Sequence, residues 1–242
     1  MVKNINLIKE AVSLKFKKNI LISTHINTDA RKFAKLAILN SNQAIDNRVN
    51  QTDRYKYAIK DLASHVGMNS SNLSIEGYDI SHHAGKYAVA SLVKFSNQGP
   101  IKSSYKIFNM PEEFSGNDVG SITNVLERRS ARAILEPLPD IILVDGGQLQ
   151  LDAAIRVLDN ASQKPPLILS IVKGSNRVRA TETILSKNGI LEMSKQSAGF
   201  TLLQQVRDEA HRFAIKAHRK KKQASSKLSQ LEMIPGIGTT IR

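Results

Sequence analysis

PDIILVDGGQLQL, residues 139–151, decides how the rest of the chain is read. Ile141 to Val144 are four consecutive apolar residues, as in a central strand buried on both faces of a sheet. Asp145 closes that run, and Gly146-Gly147 permit a sharp exit from it. LQLDAAIRVLDN (149–160) then spaces its apolar residues as a helix does. LILSIVKG (167–174) is a second buried strand, ending in Lys173-Gly174. Strand, helix, strand predicts a parallel pair joined by a crossover.

Three shorter strand candidates precede this unit: SIEGYDIS (74–81), YAVASLVKF (87–95) and SSYKIFNM (103–110). SNQGP marks the turn between the last two, and short links suggest an antiparallel meander. The polar loop PEEFSGND leads into a helix from about 118 to 134. After the buried strands, TETILS and GILEMS look like a small hairpin. A helix over about 199–222 closes the unit. Its Leu202, Leu203, Val206, Ala210, Phe213, Ala214 and Ala217 form an apolar stripe. At 100° per residue, Arg207, His211 and His218 share one flank of that stripe. The predicted fold is α/β, a mixed sheet with flanking helices, spanning 71–222.

Residues 1–70 are polar and poor in glycine, with helical spacing near 30–48 and 53–66, a helical connecting region. Residues 223–230 (QASSKLSQ) suggest a polar linker, and LEMIPGIGTTIR begins a further element.

At 41% hydrophobic and 23% charged, the 242 residues have the composition of an ordinary globular protein. No apolar run is long enough to span a bilayer, so a cytoplasmic location without membrane contact is expected. The absence of cysteine excludes disulfides, thiolate zinc sites and thiol nucleophiles. The formal net charge of +14 points to a polyanionic partner such as nucleic acid. Lys216-Ala217-His218-Arg219-Lys220-Lys221-Lys222 concentrates five of the positive charges in seven residues, a phosphate-contacting patch.

Against that basic background stand Asp79, Asp118, Asp145 and His211. Asp79 and Asp145 each end an apolar strand-like run, a costly place for charge unless a cation compensates it. Carboxylates gathered from separate strands suit Mg²⁺ or Mn²⁺ held against a phosphate. His211 has two candidate roles, metal ligand or proton carrier. Lys173 is a candidate phosphate contact, as are Arg207, Arg212, His218, Arg219, Lys220, Lys221 and Lys222.

Four stretches, IEGYDISHHAG, PDIILVDGGQLQL, VKGSNR and RDEAHRFAIKAHRKKK, stand in the order and spacing of a known family. They resemble the C-terminal endonuclease half of UvrC, the excinuclease subunit of bacterial nucleotide excision repair. IPGIG resembles the start of the helix-hairpin-helix module that follows it, and no second helix of that module follows Arg242. The resemblance implies a ribonuclease H-like fold and a divalent-metal endonuclease making the 5′ incision beside a lesion in double-stranded DNA. It implies UvrB as partner, with UvrA upstream, although the UvrB-contacting region and the 3′-cutting nuclease are not recognisable here. Asp79, Asp145 and His211 match the family's site residues, with His82, Gly146 and Gly147 as motif support. Where the family shows Gly-Asp-Asp-Tyr, this chain has Gly116-Asn117-Asp118-Val119, so Asp118 stands at the second aspartate. His83 replaces a usual threonine. Two other readings stand beside this one: a DNA-binding fragment of the same family that no longer cuts, and another ribonuclease H-like nuclease.

Overall fold

The computed structural model describes residues 5–22, 28–83, 87–114, 116–159, 165–172 and 182–232. Two compact units divide the chain, residues 1–50 and 51–242. The first holds α1 (Ile5–Phe16) and the beginning of α2 (Thr28–Val66). No residue of α1 is buried. The two helical stretches expected near 30–48 and 53–66 are this one helix. The residues between them, Val49 to Thr52, include neither Gly nor Pro, so nothing interrupts the backbone ladder.

The second unit is built on an eight-stranded mixed sheet. β1 (Ile75–His83) and β2 (Tyr87–Ser96) form an antiparallel pair. The short β3 (Gly99–Pro100) and β4 (Lys106–Asn109) both pair with β2, which makes the expected meander. α3 (Asp118–Ser130) leads to β5 (Ile141–Asp145), and α4 (Gln148–Asp159) crosses to β6 (Leu167–Val172). β1, β5 and β6 run parallel, side by side. β7 (Thr183–Ser186) and β8 (Gly189–Ile190) are the expected hairpin at the far edge. α5 runs from Ala198 to Glu232. Residues 223–230, expected as a linker, are therefore helical; Gln, Ala, Ser, Lys and Leu do not break a helix, and no Gly or Pro occurs there.

The sheet sorts its side chains by the two-residue period of a strand. Ile75, Ile141, Leu143, Leu169 and Ile171 face one layer, made by α5 and the end of α2. Tyr78, Ile142, Val144 and Ile168 face the other, made by α3 and α4. Burial of β5 on both sides explains its unbroken apolar run. Ala58, Ile59, Leu62 and Ala63 of α2 lie in the core, so the region expected as a mere connector ends as part of the sheet's cover. Each fully buried Leu or Ile contributes about 1.5–3 kcal/mol, and this stack of two layers fixes where β1, β5 and α5 meet.

Candidate active site

Asp79 lies in the middle of β1 rather than at its end, because the strand continues to His83. It shares the α5 face with Ile75, by the alternation of the strand. The parallel register pairs Tyr78 with Val144, so Asp79 and Asp145 stand level on neighbouring strands. Strands about 4.8 Å apart bring two such carboxylates together. His211 descends on them from α5, with Nδ1 3.2 Å from Asp79 Oδ1. One ligand atom from each of Asp79, Asp145 and His211 lies within 4.8 Å of the other two. Among the described residues this is the one trio of His, Asp or Glu so arranged. Asp79 is buried, whereas the His211 side chain is 51% exposed, so the cluster opens to solvent on the helix side.

Small contacts fix this geometry. Ser81 Oγ donates to Asp79 Oδ2 at 2.8 Å, leaving Oδ1 toward His211. The His211 contact directs Nδ1 toward Asp79 Oδ1 and turns Nε2 away from it. A Cβ at Gly77 would stand 2.4 Å from Val206 Cγ1, so only glycine lets α5 settle this close to β1. The turn after Asp145 is held twice: Ser170 donates its hydroxyl proton to the Gly146 carbonyl, and Gly147 N–H donates to Gln150 Oε1 at 3.0 Å. A Cβ at Gly146 would come within 2.9 Å of the Gln150 side chain, which favours glycine at the first position after this aspartate.

The other candidates are placed as follows. Asp118 is exposed at the first residue of α3, the helix on the opposite face of the sheet, and does not belong to the trio. Asn117 caps that helix, its side chain accepting from Gly120 N–H at 2.8 Å. Arg207 corrects an expectation: only 4% exposed, it does not offer its guanidinium to a ligand. It pairs instead with Glu182 and Asp208, because the buried Glu182 carboxylate must be compensated. Arg212 is half-exposed but committed to both Glu209 oxygens at 2.7 Å. Arg219 is exposed on α5. His82 and His83 continue the backbone of β1, and their side chains lie outside the described residues, as do those of His218, Lys220, Lys221 and Lys222. Lys173 and the IPGIG segment also lie outside them.

Sequence reasoning missed Ser81, Gly77, Ser170 and Gln150. Gly77 carried a signal, since an isolated glycine inside a strand pattern marks a close approach. Ser81 stands inside IEGYDISHHAG, next to His82, which the resemblance names as motif support.

A mixed sheet with two adjacent strand carboxylates under a helical imidazole defines the ribonuclease H-like class. The chain belongs to the UvrC RNAse H endonuclease domain family, which matches residues 63–215. It is 34% identical to the UvrABC system protein C of Pseudomonas savastanoi over 227 residues, 92% of this chain and 37% of that protein. It is 30% identical to the same protein of Idiomarina loihiensis, over 98% of this chain and 39% of that one. The chain thus spans under two fifths of the length of these relatives. Among solved structures, the catalytic domain of human Endonuclease V is similar at 14% identity and a TM-score of 0.41, covering 75% of this chain and 98% of that one. No helix among the described residues is long and apolar enough to cross a membrane.

Proposed function

We propose that this chain hydrolyses a phosphodiester bond in one strand of damaged double-stranded DNA, making the 5′ incision of bacterial nucleotide excision repair. The observation that carries this reading is the convergence of Asp79, Asp145 and His211 within 4.8 Å on the α5 face of the sheet, open to solvent at the imidazole. The donor set suits a divalent cation: two carboxylates and an imidazole, hard enough for Mg²⁺ and well matched to Mn²⁺. Asp79 and Asp145 would hold it, with His211 through Nδ1, the ring nitrogen beside Asp79, as third ligand, or as a group on the adjacent water. When bound, such an ion supplies Lewis acidity to a phosphate oxygen and makes a nearby water more acidic.

The residues of the chain do the remaining work. Ser81 keeps the Asp79 carboxylate from rotating, so that one oxygen stays aimed into the cluster. His211, with Nδ1 3.2 Å from Asp79 Oδ1, stands where a proton can also be taken or given. Arg219 and the neighbouring lysines of α5 contact the DNA backbone, which positions the strand without reading its sequence. Asp118 is retained as a fourth candidate on the family likeness. UvrB, with UvrA upstream, is the partner system proposed to deliver the lesion, by analogy with the relatives named UvrABC system protein C.

The test is nicking of a lesion-bearing duplex, with UvrA and UvrB supplied, under Mn²⁺ or Mg²⁺ titration. Metal-dependent cutting on the 5′ side of the lesion supports the reading. Binding without cutting at any metal concentration favours a domain that only binds DNA, a reading that gains from the position of Asp118 outside the trio. Preferential cutting of branched DNA or RNA–DNA hybrids would assign the site to another ribonuclease H-like activity.

A further inference from the structure

Ser91 is fully buried in the middle of β2. A buried hydroxyl is tolerated only where it finds a partner. The Ser91 partner is the carbonyl of Ala210 on α5, to which its Oγ donates at 2.8 Å. Two features raise this bond above ordinary satisfaction of a buried serine. Ser91 is the residue directly opposite Asp79 in the β1–β2 register. Ala210 is the residue immediately before His211. The contacts therefore close a ring: Asp79 pairs with Ser91 across the strands, Ser91 binds the Ala210 carbonyl, and His211 returns to Asp79 at 3.2 Å.

We propose that Ser91 is a positioning residue that sets the height and rotation of α5 so that the His211 imidazole meets Asp79. This rests on the nuclease reading for its consequence, but not for its geometry. Near this point α5 is otherwise located by the ion pair of Arg207, whose long side chain can follow a small slide, with Glu182, and by packing, with Val206 seated on Gly77 and the small Ala210 and Ala214 against the sheet. Packing of small residues resists approach and permits sliding. A hydrogen bond from a strand hydroxyl to one helix carbonyl selects one register. The imidazole lies one residue beyond that carbonyl, so little of the constraint is lost before it reaches the site.

The full chain carrying Ser91→Ala is the test, with two measurements. In the metal-free protein, long-range ¹H–¹⁵N spectra of the His211 ring should shift from the wild-type pattern toward that of a free imidazole. Mn²⁺ affinity, followed by calorimetry, should fall about tenfold, as for other groups that orient metal ligands. In a His211→Ala background the same substitution should cause no further loss. Gly77→Ala, which pushes α5 away at Val206, should alter the His211 ring in the same direction. Unchanged His211 resonances in Ser91→Ala would overturn the proposal. So would an equal loss of Mn²⁺ affinity with and without His211, which would mark Ser91 as acting on the sheet in general. A wild-type chain that binds no Mn²⁺ would count against the nuclease reading, while the ring spectra would still decide the positioning role.

Discussion

Glu76 and Asp79 lie three residues apart on β1, both buried, and face opposite sides of the sheet. On the α3 side, Glu76 is gripped by Arg129, with Nε 3.0 Å from Oε2 and Nη2 2.9 Å from Oε1. Lys94 lies 3.7 Å away, and the Tyr78 hydroxyl donates at 2.8 Å. Arg129 also donates to the carbonyls of Glu136 and Pro137. Burial, and then the Glu76 carboxylate beside it, push the Tyr78 phenol well above its ordinary range. On the α5 side, Asp79 is met by a serine hydroxyl and a half-exposed imidazole. The first acid is sealed with a permanent cation, and the second faces an opening. One strand thus carries both a structural and a chemical use of a buried carboxylate, and what separates them is whether the protein supplies the guanidinium itself.

The sharpest way to break this contrast is to remove an acid from each side. Asp145→Ala should abolish nicking, by about a thousandfold or more, if the site owes several kcal/mol to the cation it holds. Folding and duplex affinity should stay intact, read by urea unfolding and by equilibrium DNA binding. Cutting at the wild-type rate would refute the assignment. Glu76→Ala should do the reverse, lowering stability by about 3–5 kcal/mol through the uncompensated charge left on Arg129. At a temperature where that variant remains folded, its Mn²⁺ affinity should match that of the wild type. A stable Glu76→Ala protein would show that Arg129 finds other partners, and the contrast between the two faces would dissolve.

Asp61 represents a third use of an acid. Its Oδ2 accepts from Gly199 N–H at 2.8 Å, so α2 caps the N-terminus of α5. Asp61→Ala should cost about 1 kcal/mol, measured by thermal unfolding. It should leave the His211 ring spectrum unchanged, because the cap lies three helical turns from the imidazole. A shifted ring would mean that α5 is positioned from its end rather than at Ala210.

The core of this arrangement was legible in the chain, for a physical reason in each case. The run from Ile141 to Val144 could only be a doubly covered strand, and Asp145 with its two glycines marked where the strand opens to chemistry. The stripe on α5 identified its buried face, although not its far end, since polarity alone does not stop a helix. What stayed hidden depended on long-range pairing. Nothing local tells that Ser91 will stand opposite Asp79, or that Glu182 will lie under Arg207. On a helical wheel Arg207 and His211 share a flank, yet an acid arriving from another element buries one and not the other. Position on a helix therefore predicts direction, whereas exposure depends on what the rest of the chain places there.

The smallest effect concerns the exposed end of the same scale. Glu209 and Arg212 pair one helical turn apart on α5, and hydrogen bonds from Arg212 hold the Glu209 carboxyl below its usual range. A carboxyl with a depressed folded pKa contributes stability above its unfolded value, near about 4.3, and loses it as pH falls through the folded one. Glu209→Gln should therefore lower stability by less than about 1 kcal/mol at neutral pH, because Arg212 is solvent-accessible and the pair is screened. The gap between variant and wild type should narrow on acidification below about pH 4 and in high salt. Paired urea titrations at neutral and acidic pH would read it. A gap that stays constant across that range would place the contribution of Glu209 in its neighbourhood with Tyr105, which an amide could equally disturb, and not in the charge. The pair also bears on DNA: a phosphate approaching Arg212 must compete with a carboxylate already seated on both of its forks. Glu209→Gln should therefore leave duplex affinity unchanged or raise it slightly, whereas loss of the Arg219 charge should only lower it.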